Sequence, residues 1–290
     1  MDSIDSPMIP SNERKDALCK LRLPESILYY IRNNANPKLQ LKLMQTSKYF
    51  RFKEFPYFVV KDLVYDDDTW KFCQNNGTYQ EIDLESLAKP LWITGRIYSD
   101  ATESPKLISY LLTKTVVCDI INLDLCDQIL TMDEYKMLNS SNKIERLSIY
   151  DSHIEYDDGN IVSFDKIIKL FPKLKSIRLY FNDKMASTLT RDMTKKLINL
   201  LNPEILKTFE MHKIPESFDF KLFAYFMKAN PSIDFWLDFG DEISDEYAKM
   251  LQDYIDELIE TSSYKNHKIF INFSGQKFES FCLLLDQYYC

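Results

Sequence analysis

The sequence predicts an α/β protein in which a short helical segment precedes an array of parallel strands and helices. Short segments with alternating apolar and polar residues recur from about residue 57 onward, with an irregular period of about 30 residues. Helical patterns fill the intervals, and strands that alternate with helices through short connections are expected to run parallel. We therefore divide the chain into a polar tail (1–18), a helical segment (19–56) and the array (57–290).

The helical segment is predicted to contain two short helices. Pro24 can open the first helix, and Ile27, Leu28 and Ile31 fall on one face behind it. The stretch 33–37 interrupts this helix and its last residue, a proline, suits the start of a second. Two such helices cannot bury their apolar groups alone, so they need either the rest of the chain or another protein.

The array is predicted from eight extended segments and four clear helical ones. The extended segments are FVVKDLVY, PLWITG, IINLDL, RLSIY, SIRLYF, KTFEMHKI, IDFWLDF and KIFINF. The helical segments are SFDKIIKLFPK, TRDMTKKLINLLNPE, FDFKLFAYFMKANP and SDEYAKMLQDYIDELIETS. Three of the extended segments also carry the L-x-x-L-x-L outline of a leucine-rich repeat, with conservative replacements.

The alternation within the strands favours an irregular leucine-rich-repeat-like solenoid, with a parallel sheet on one face and helices on the other. Ile177, Leu179 and Phe181 alternate with Arg178 and Tyr180. The alternative is a doubly wound sheet, whose central strands are covered on both faces and are apolar throughout. In the solenoid the polar and aromatic side chains lie on a free face, the face of the sheet that no helix covers. A shift of the strand register by one residue would instead point them toward the helices.

We expect this free face to bind a target protein, because mixed aromatic and charged side chains are typical of interfaces. The candidate target-binding residues are Trp92, Asn122, Asp124, Tyr150, Arg178, Tyr180, Glu210, His212, Asp234, Trp236, Asp238, Phe270 and Asn272.

Composition argues against other classes of function. The formal net charge of −8 disfavours nucleic acid. Only five glycines occur, which argues against phosphate-binding loops, dinucleotide crossovers and sharp β-hairpins. We find no catalytic motif, and the acidic run Asp66–Asp68 is interpreted as a solvated loop; no cofactor, metal or small-molecule substrate is expected. Six dispersed cysteines and the lack of a signal peptide or apolar span predict a cytoplasmic or nuclear protein.

The segment from Leu21 to about Pro56 resembles an F-box. Its residues follow the order of that family: Leu23-Pro24; Ile27, Leu28 and Ile31; Asn36-Pro37-Lys38; Leu41 and Leu43; Ser47-Lys48-Tyr49-Phe50. The whole chain further resembles the expanded nematode F-box proteins with a leucine-rich-repeat-like C-terminal region, through FPYFVVKDLVYDDDTW and DGNIVSFDKIIKLFPKLK.

The resemblance implies a substrate-recognition subunit of a cullin-type ubiquitin ligase, without bond chemistry of its own. Its helices would bind a Skp-type adaptor through Leu23, Pro24, Ile27, Leu28, Ile31, Leu41 and Leu43. A second hypothesis is a plain protein-binding solenoid whose helical segment is only a structural cap. It is favoured by Ala35, where a larger apolar residue is usual, and by Gln40 and Gln45, where apolar residues are common. A third is an enzyme, which would need His153 and His212 in one cleft with a cysteine or carboxylate.

Overall fold

The computed structural model describes residues 24–46, 55–73, 77–100, 103–240, 243–261 and 267–289. The chain divides into two compact units, Met1–Tyr57 and Phe58–Cys290. The predicted tail, the candidate adaptor residue Leu23 and the Ser47–Phe50 end of the F-box-like segment lie outside the described residues.

The first unit contains two helices, α1 (Glu25–Asn34) and α2 (Pro37–Thr46). Pro24 occupies the position before α1, and its carbonyl accepts a 3.1 Å hydrogen bond from the Leu28 amide. The Asn36 side chain accepts a 3.0 Å bond from the Leu39 amide, which caps the start of α2. Two helices thus occur where the prolines predicted them.

The second unit is built on an open sheet of 11 strands and a small pair of strands. The strands are β1 (Phe58–Asp66), β2 (Thr69–Cys73), β3 (Tyr79–Glu81), β4 (Leu91–Asp100), β5 (Thr115–Cys118), β6 (Asn122–Cys126), β7 (Ile129–Thr131), β8 (Arg146–Tyr150), β9 (His153–Glu155), β10 (Ser176–Tyr180), β11 (Thr208–Ile214), β12 (Asp234–Phe239) and β13 (Ile269–Asn272). The helices are α3 (Leu107–Lys114), α4 (Met132–Leu138), α5 (Phe164–Lys169), α6 (Asp183–Ala186), α7 (Arg191–Leu200), α8 (Phe220–Ala229), α9 (Asp245–Glu260) and α10 (Phe278–Tyr289).

Parallel pairs follow one another across the sheet in the order β1, β4, β6, β8, β10, β11, β12, β13, with β5 paired to β4 and β7 paired to β9 in the small sheet. All eight extended segments predicted from the sequence form these strands. The predicted α/β fold with a mostly parallel sheet is confirmed.

One face of the sheet holds the apolar core. The Phe209 ring of β11 lies 5.3 Å from Phe223 of α8, and Phe235 of β12 lies 5.9 Å from the same ring. All three side chains are fully buried. Burying one such ring stabilises the fold by roughly 1.5–3 kcal/mol relative to leaving it exposed, so this face supplies much of the stability.

The first edge of the sheet corrects the expectation that sharp β-hairpins are absent. β1, β2 and β3 pair antiparallel. The turn between β1 and β2 places Asp67 at φ 51° and Asp68 at φ 58°, so aspartates occupy the left-handed region that glycine usually fills. The acidic run is therefore a hairpin turn rather than a simple loop, and Lys71 bridges Asp66 and Asp67 at 3.1 Å each.

The last edge of the sheet corrects the expectation that helices cover one face only. α10 begins beside α9, where the Gln252 side-chain amide donates to the Ser280 hydroxyl at 3.2 Å. Its Phe281 ring lies 5.5 Å from Phe270 of β13, and its Tyr288 ring lies 5.1 Å from Trp236 of β12. Since Trp236 and Phe270 alternate along their strands with Leu237 and Ile271, α10 packs on the side of the sheet opposite the latter two residues.

Candidate functional site

The candidate site is the sheet surface that points away from the apolar core, which we call the open face. The strand register aligns its side chains into three rows that run across the strands. The amino-end row contains Asp62, Arg96, Asn122, Arg146, Ser176, Thr208 and Asp234. The middle row contains Tyr98, Asp124, Ser148, Arg178, Glu210, Trp236 and Phe270. The carboxyl-end row contains Asp100, Cys126, Tyr150, Tyr180, His212, Asp238 and Asn272.

The register brings the predicted target-binding residues to this one side, but two of them are buried. Trp92 and Phe270 are each only 2% exposed. Trp92 pairs with Val59 and Val117 on its two sides, and Phe270 lies under Phe281. The prediction that these two rings are free to bind a target is therefore wrong. The binding role of the other residues stays a prediction.

The carboxylates of the middle row are each paired with an arginine of the open face. The Arg178 guanidinium binds Glu210 through two hydrogen bonds, one of them 2.9 Å between Nη2 and Oε1. The Arg96 Nε donates to the Asp124 carboxylate at 2.6 Å. Burial raises the pKa of Glu210, but His212 and Arg178 lower it, and the net direction is downward. The carboxylate of Glu210 is therefore charged and paired.

The carboxyl-end row is a stack of rings. Tyr150 and Tyr180 lie 4.8 Å apart at 28°, and Tyr180 and His212 lie 3.9 Å apart at 7°. The stack fixes the positions of the two phenol groups, and the Tyr150 hydroxyl accepts a 3.3 Å bond from Arg178. A surface held in place in this way loses little side-chain entropy when a partner binds.

His212 stands between two carboxylates. Its Nδ1 lies 3.6 Å from Asp238, and its Nε2 lies 3.9 Å from Glu210. Burial lowers the pKa of His212, but Asp238 and Glu210 raise it, and the net direction is upward. The Asn272 amide donates to Asp238 as well, at 2.5 Å. The two neighbouring carboxylates thus stabilise the protonated form of His212 on the open face.

A cleft of about 360 Å³ opens beyond the carboxyl ends of β6, β8 and β10, and sequence reasoning did not predict it. It is lined by Pro105, Asp127, Ile129, Asp151, His153, Asn182, Asp183 and Lys184. Crevices at this end of parallel strands are common ligand sites. The signal that the sequence offers is an aspartate directly after each of two strands, in the phrases LDLCD and LSIYD.

His153 forms part of the wall of this cleft. It is 4% exposed, and its Nε2 lies 3.3 Å from the Lys184 ammonium. Burial lowers the pKa of His153, and Lys184 lowers it further. The imidazole is therefore neutral at pH 7, and its Nε2 can accept a hydrogen bond from the Lys184 ammonium. His153 lines the cleft, whereas His212 lies on the open face and is not among the residues that line the cleft.

The candidate adaptor residues differ in exposure. Ile27 is 44% exposed, Pro24 is exposed, and Ile31, Leu41 and Leu43 are half-buried. Leu28 is 0% exposed, so its assignment to a docking surface is corrected: it is an interior residue of the free chain.

Four exposed apolar side chains on these helices were not among the candidate adaptor residues: Tyr29, Tyr30, Leu39 and Met44. Tyr30 on α1 is 66% exposed and Leu39 on α2 is 43% exposed. Tyr30 lies three residues after Ile27, and the spacing i, i+3 places both on one face of the helix. The helical period of the sequence could have identified this pair.

No group of three or more His, Cys, Asp or Glu side chains arranged to bind a metal ion occurs in the described part of the chain. Among the helices that the structure describes, none combines the length and the hydropathy needed to span a membrane. Comparison of the sequence with models of known protein families and with curated proteins finds no match.

Proposed function

We propose that this chain is a substrate-recognition subunit of a cullin-type ubiquitin ligase, with a Skp-type adaptor bound by α1 and α2 and a target protein bound by the open face of a leucine-rich-repeat-like solenoid. The observation that carries the proposal is the contrast between the apolar surface of the two helices and the mixed aromatic and charged surface of the sheet. Each is a kind of surface that protein partners cover.

The apolar surface of the helices supports the adaptor half. Ile27, Tyr30 and Ile31 share one face of α1, and the first two are 44% and 66% exposed. Exposed apolar groups at this spacing are typical of a helix that binds another protein through its apolar face. Gln40 stands where F-box segments usually carry an apolar residue. Its side-chain amide donates a 2.8 Å hydrogen bond to the Ala35 carbonyl, so the amide is already paired within the free chain.

The order of the strands supports the solenoid half. The parallel strands from β1 to β13 follow one another across the sheet without reversal, whereas a doubly wound sheet reverses its order at a switch point. When consecutive strand–helix repeats stack on one another, their strands follow the order of the chain across the sheet. This order leaves a continuous face on which one long partner can lie.

Co-purification with a Skp-type adaptor tests the adaptor half. The double variant Ile27→Asp, Tyr30→Asp places two charges on the apolar face of α1, and we expect it to weaken adaptor binding at least tenfold. The matched control is Tyr110→Asp, Tyr225→Asp, which places two charges on exposed tyrosines of α3 and α8, 38% and 75% exposed. The control should bind the adaptor as the parent chain does. Equal binding by all three chains, or none by the parent chain, contradicts the proposal.

The structural-cap hypothesis is the second candidate, and the full burial of Leu28 favours it because a buried leucine in a helix indicates a packing role. It predicts a different outcome for the same variants. If α1 and α2 serve only as a cap, the Ile27→Asp, Tyr30→Asp variant lowers the Tm of the second unit and the parent chain binds no adaptor. If they are a docking surface, the Tm is unchanged and adaptor binding is lost.

A further inference from the structure

We propose that the open face takes a basic, extended segment of the target, with lysine or arginine side chains directed toward the carboxyl ends of the strands. This inference rests on the proposed function and names the chemical class of the target. Three observations carry it: the distribution of charge across the open face, the lack of cationic partners at one end of it, and the cleft at that same end.

The charge differs between the two ends of the open face. The amino-end row carries Arg96 and Arg146, and the middle row carries Arg178. The carboxyl-end row contains no arginine or lysine, and its charged groups are Asp100, His212 and Asp238. The turns that follow β6 and β8 add Asp127 and Asp151. The carboxyl end of the face is thus acidic, whereas its centre is balanced.

The carboxylates at the acidic end have few cationic partners within the chain. In the middle row Asp124 and Glu210 are each paired with an arginine. Among the described residues, no lysine or arginine forms an ion pair with Asp100, Asp127 or Asp183. A partner that brings its own cations fits this end, because carboxylates left without a cation attract one.

The cleft is an acidic cavity that can accommodate the cationic side chains of a partner. Its wall includes Asp127, Asp151 and Asp183, and its own cation, Lys184, is directed at His153 at 3.3 Å. The Asp151 carboxylate is the exception among the three, since Lys213 lies 3.3 Å from it. Asp127 and Asp183 are therefore the two cleft carboxylates that are open to a cationic ligand.

The stacked rings provide a rigid floor beside the cleft. Tyr150 and Tyr180 lie in the carboxyl-end row, with Tyr150 directly before the turn that holds Asp151, and their phenol oxygens can accept hydrogen bonds from a peptide. A segment that runs across the strands along this row would pass from Asp238 to the cleft. Its basic side chains would then alternate between aspartates of the row and aspartates of the cleft.

Fluorescence anisotropy with the full chain tests the inference. The probe is a labelled 12-residue peptide of alternating Lys and Ala, and its counterpart alternates Glu and Ala. We expect the basic peptide to bind and the acidic one not to bind. The variant Asp127→Asn, Asp183→Asn should weaken the basic peptide about threefold to tenfold, the effect expected for two exposed ion pairs.

The control variant is Asp67→Asn, Asp133→Asn, which removes the same charge elsewhere. The match is close: Asp67 and Asp127 both have positive φ, and Asp133 and Asp183 both lie in the first turn of a helix. Binding within about twofold of the parent chain is expected for this control. Equal weakening by both variants, or binding of the acidic peptide, overturns the inference.

Adaptor binding measured on the same preparations separates the two proposals. A chain that binds the adaptor and ignores the basic peptide contradicts the inference and leaves the proposed function standing. A chain that binds the basic peptide through Asp127 and Asp183 and binds no adaptor supports the inference and contradicts the ligase assignment.

Discussion

The two units of the chain differ in how densely they expose large apolar side chains. Along α1 and α2, five large apolar side chains are more than a third exposed: Ile27, Tyr29, Tyr30, Leu39 and Met44. In the second unit the rings that meet between strand and helix, such as Phe209 and Phe223, are fully buried. The second unit also exposes eight large apolar side chains, but these are spread over the much longer described part of residues 58–289, so the exposed apolar groups are denser along α1 and α2. The difference predicts that substitutions can alter the stability of the sheet unit and the proposed adaptor binding separately.

The largest effect we expect comes from the core of the sheet unit. Phe209→Ala removes a buried ring that lies 5.3 Å from Phe223, and it should lower the free energy of unfolding by about 3–5 kcal/mol. The companion variant Tyr30→Ala, at a ring that is 66% exposed, should change it by no more than about 0.5 kcal/mol. Urea unfolding followed by circular dichroism measures both. Similar losses would break the contrast between the units.

An intermediate effect is expected at a helix start inside the sheet unit. Thr131 caps α4 in a capping box, in which its hydroxyl accepts from the Glu134 amide at 3.2 Å and the Glu134 carboxylate accepts from the Thr131 amide at 2.8 Å. Thr131→Ala should cost about 1 kcal/mol of stability. The control is Ser163→Ala at the start of α5, because the Ser163 side chain bonds to Asp165 and does not cap the helix. Thermal unfolding should show the larger loss for Thr131→Ala, and the reverse order would contradict this reading of the two caps.

A smaller effect on stability is expected from a change of pH. It concerns the sheet unit, because His212 and His153 both lie there. The pKa of His212 is raised in the folded state, so its protonation stabilises the fold below the unfolded value of about 6.5, and this contribution is lost as pH rises through the raised pKa. The pKa of His153 is lowered, so its contribution is present above about 6.5 and is lost as pH falls through the lowered pKa.

The measurement compares His212→Asn and His153→Asn with the parent chain at pH 5.5 and pH 8. The Tm difference between His212→Asn and the parent chain should be larger at the lower pH. For His153→Asn it should be larger at the higher pH. The same trend in both variants would show that the carboxylates around His212 do not hold its proton.

Much of the fold follows from local patterns in the sequence. Alternation of apolar and polar residues identified the strands and placed residues such as Arg178 and Tyr180 on the open face, because side chains point to opposite sides at every step along a strand. The prolines at 24 and 37 identified the starts of α1 and α2. Each of these patterns spans only a few consecutive residues, so it can be recognised in a single sequence.

The remaining features depend on residues far apart in the chain. Alternation assigns Phe270 to a face, but only the packing of Phe281 from α10 decides whether that face is covered. The hairpin between β1 and β2 was missed because aspartates replace the expected glycine at Asp67 and Asp68. The cleft is lined by turns that follow three different strands, so no single segment of the sequence contains a signal for it. Long-range packing is the physical reason for each of these misses.

Hydrogen exchange of the full chain, followed by mass spectrometry with and without a Skp-type adaptor, tests the central claim most directly. If the first unit is the docking surface, the amides of α1 and α2 gain protection when the adaptor is added, and the amides of β6, β8 and β10 exchange as before. Protection of the sheet strands with no change in α1 and α2, or no change anywhere at saturating adaptor, would contradict the account.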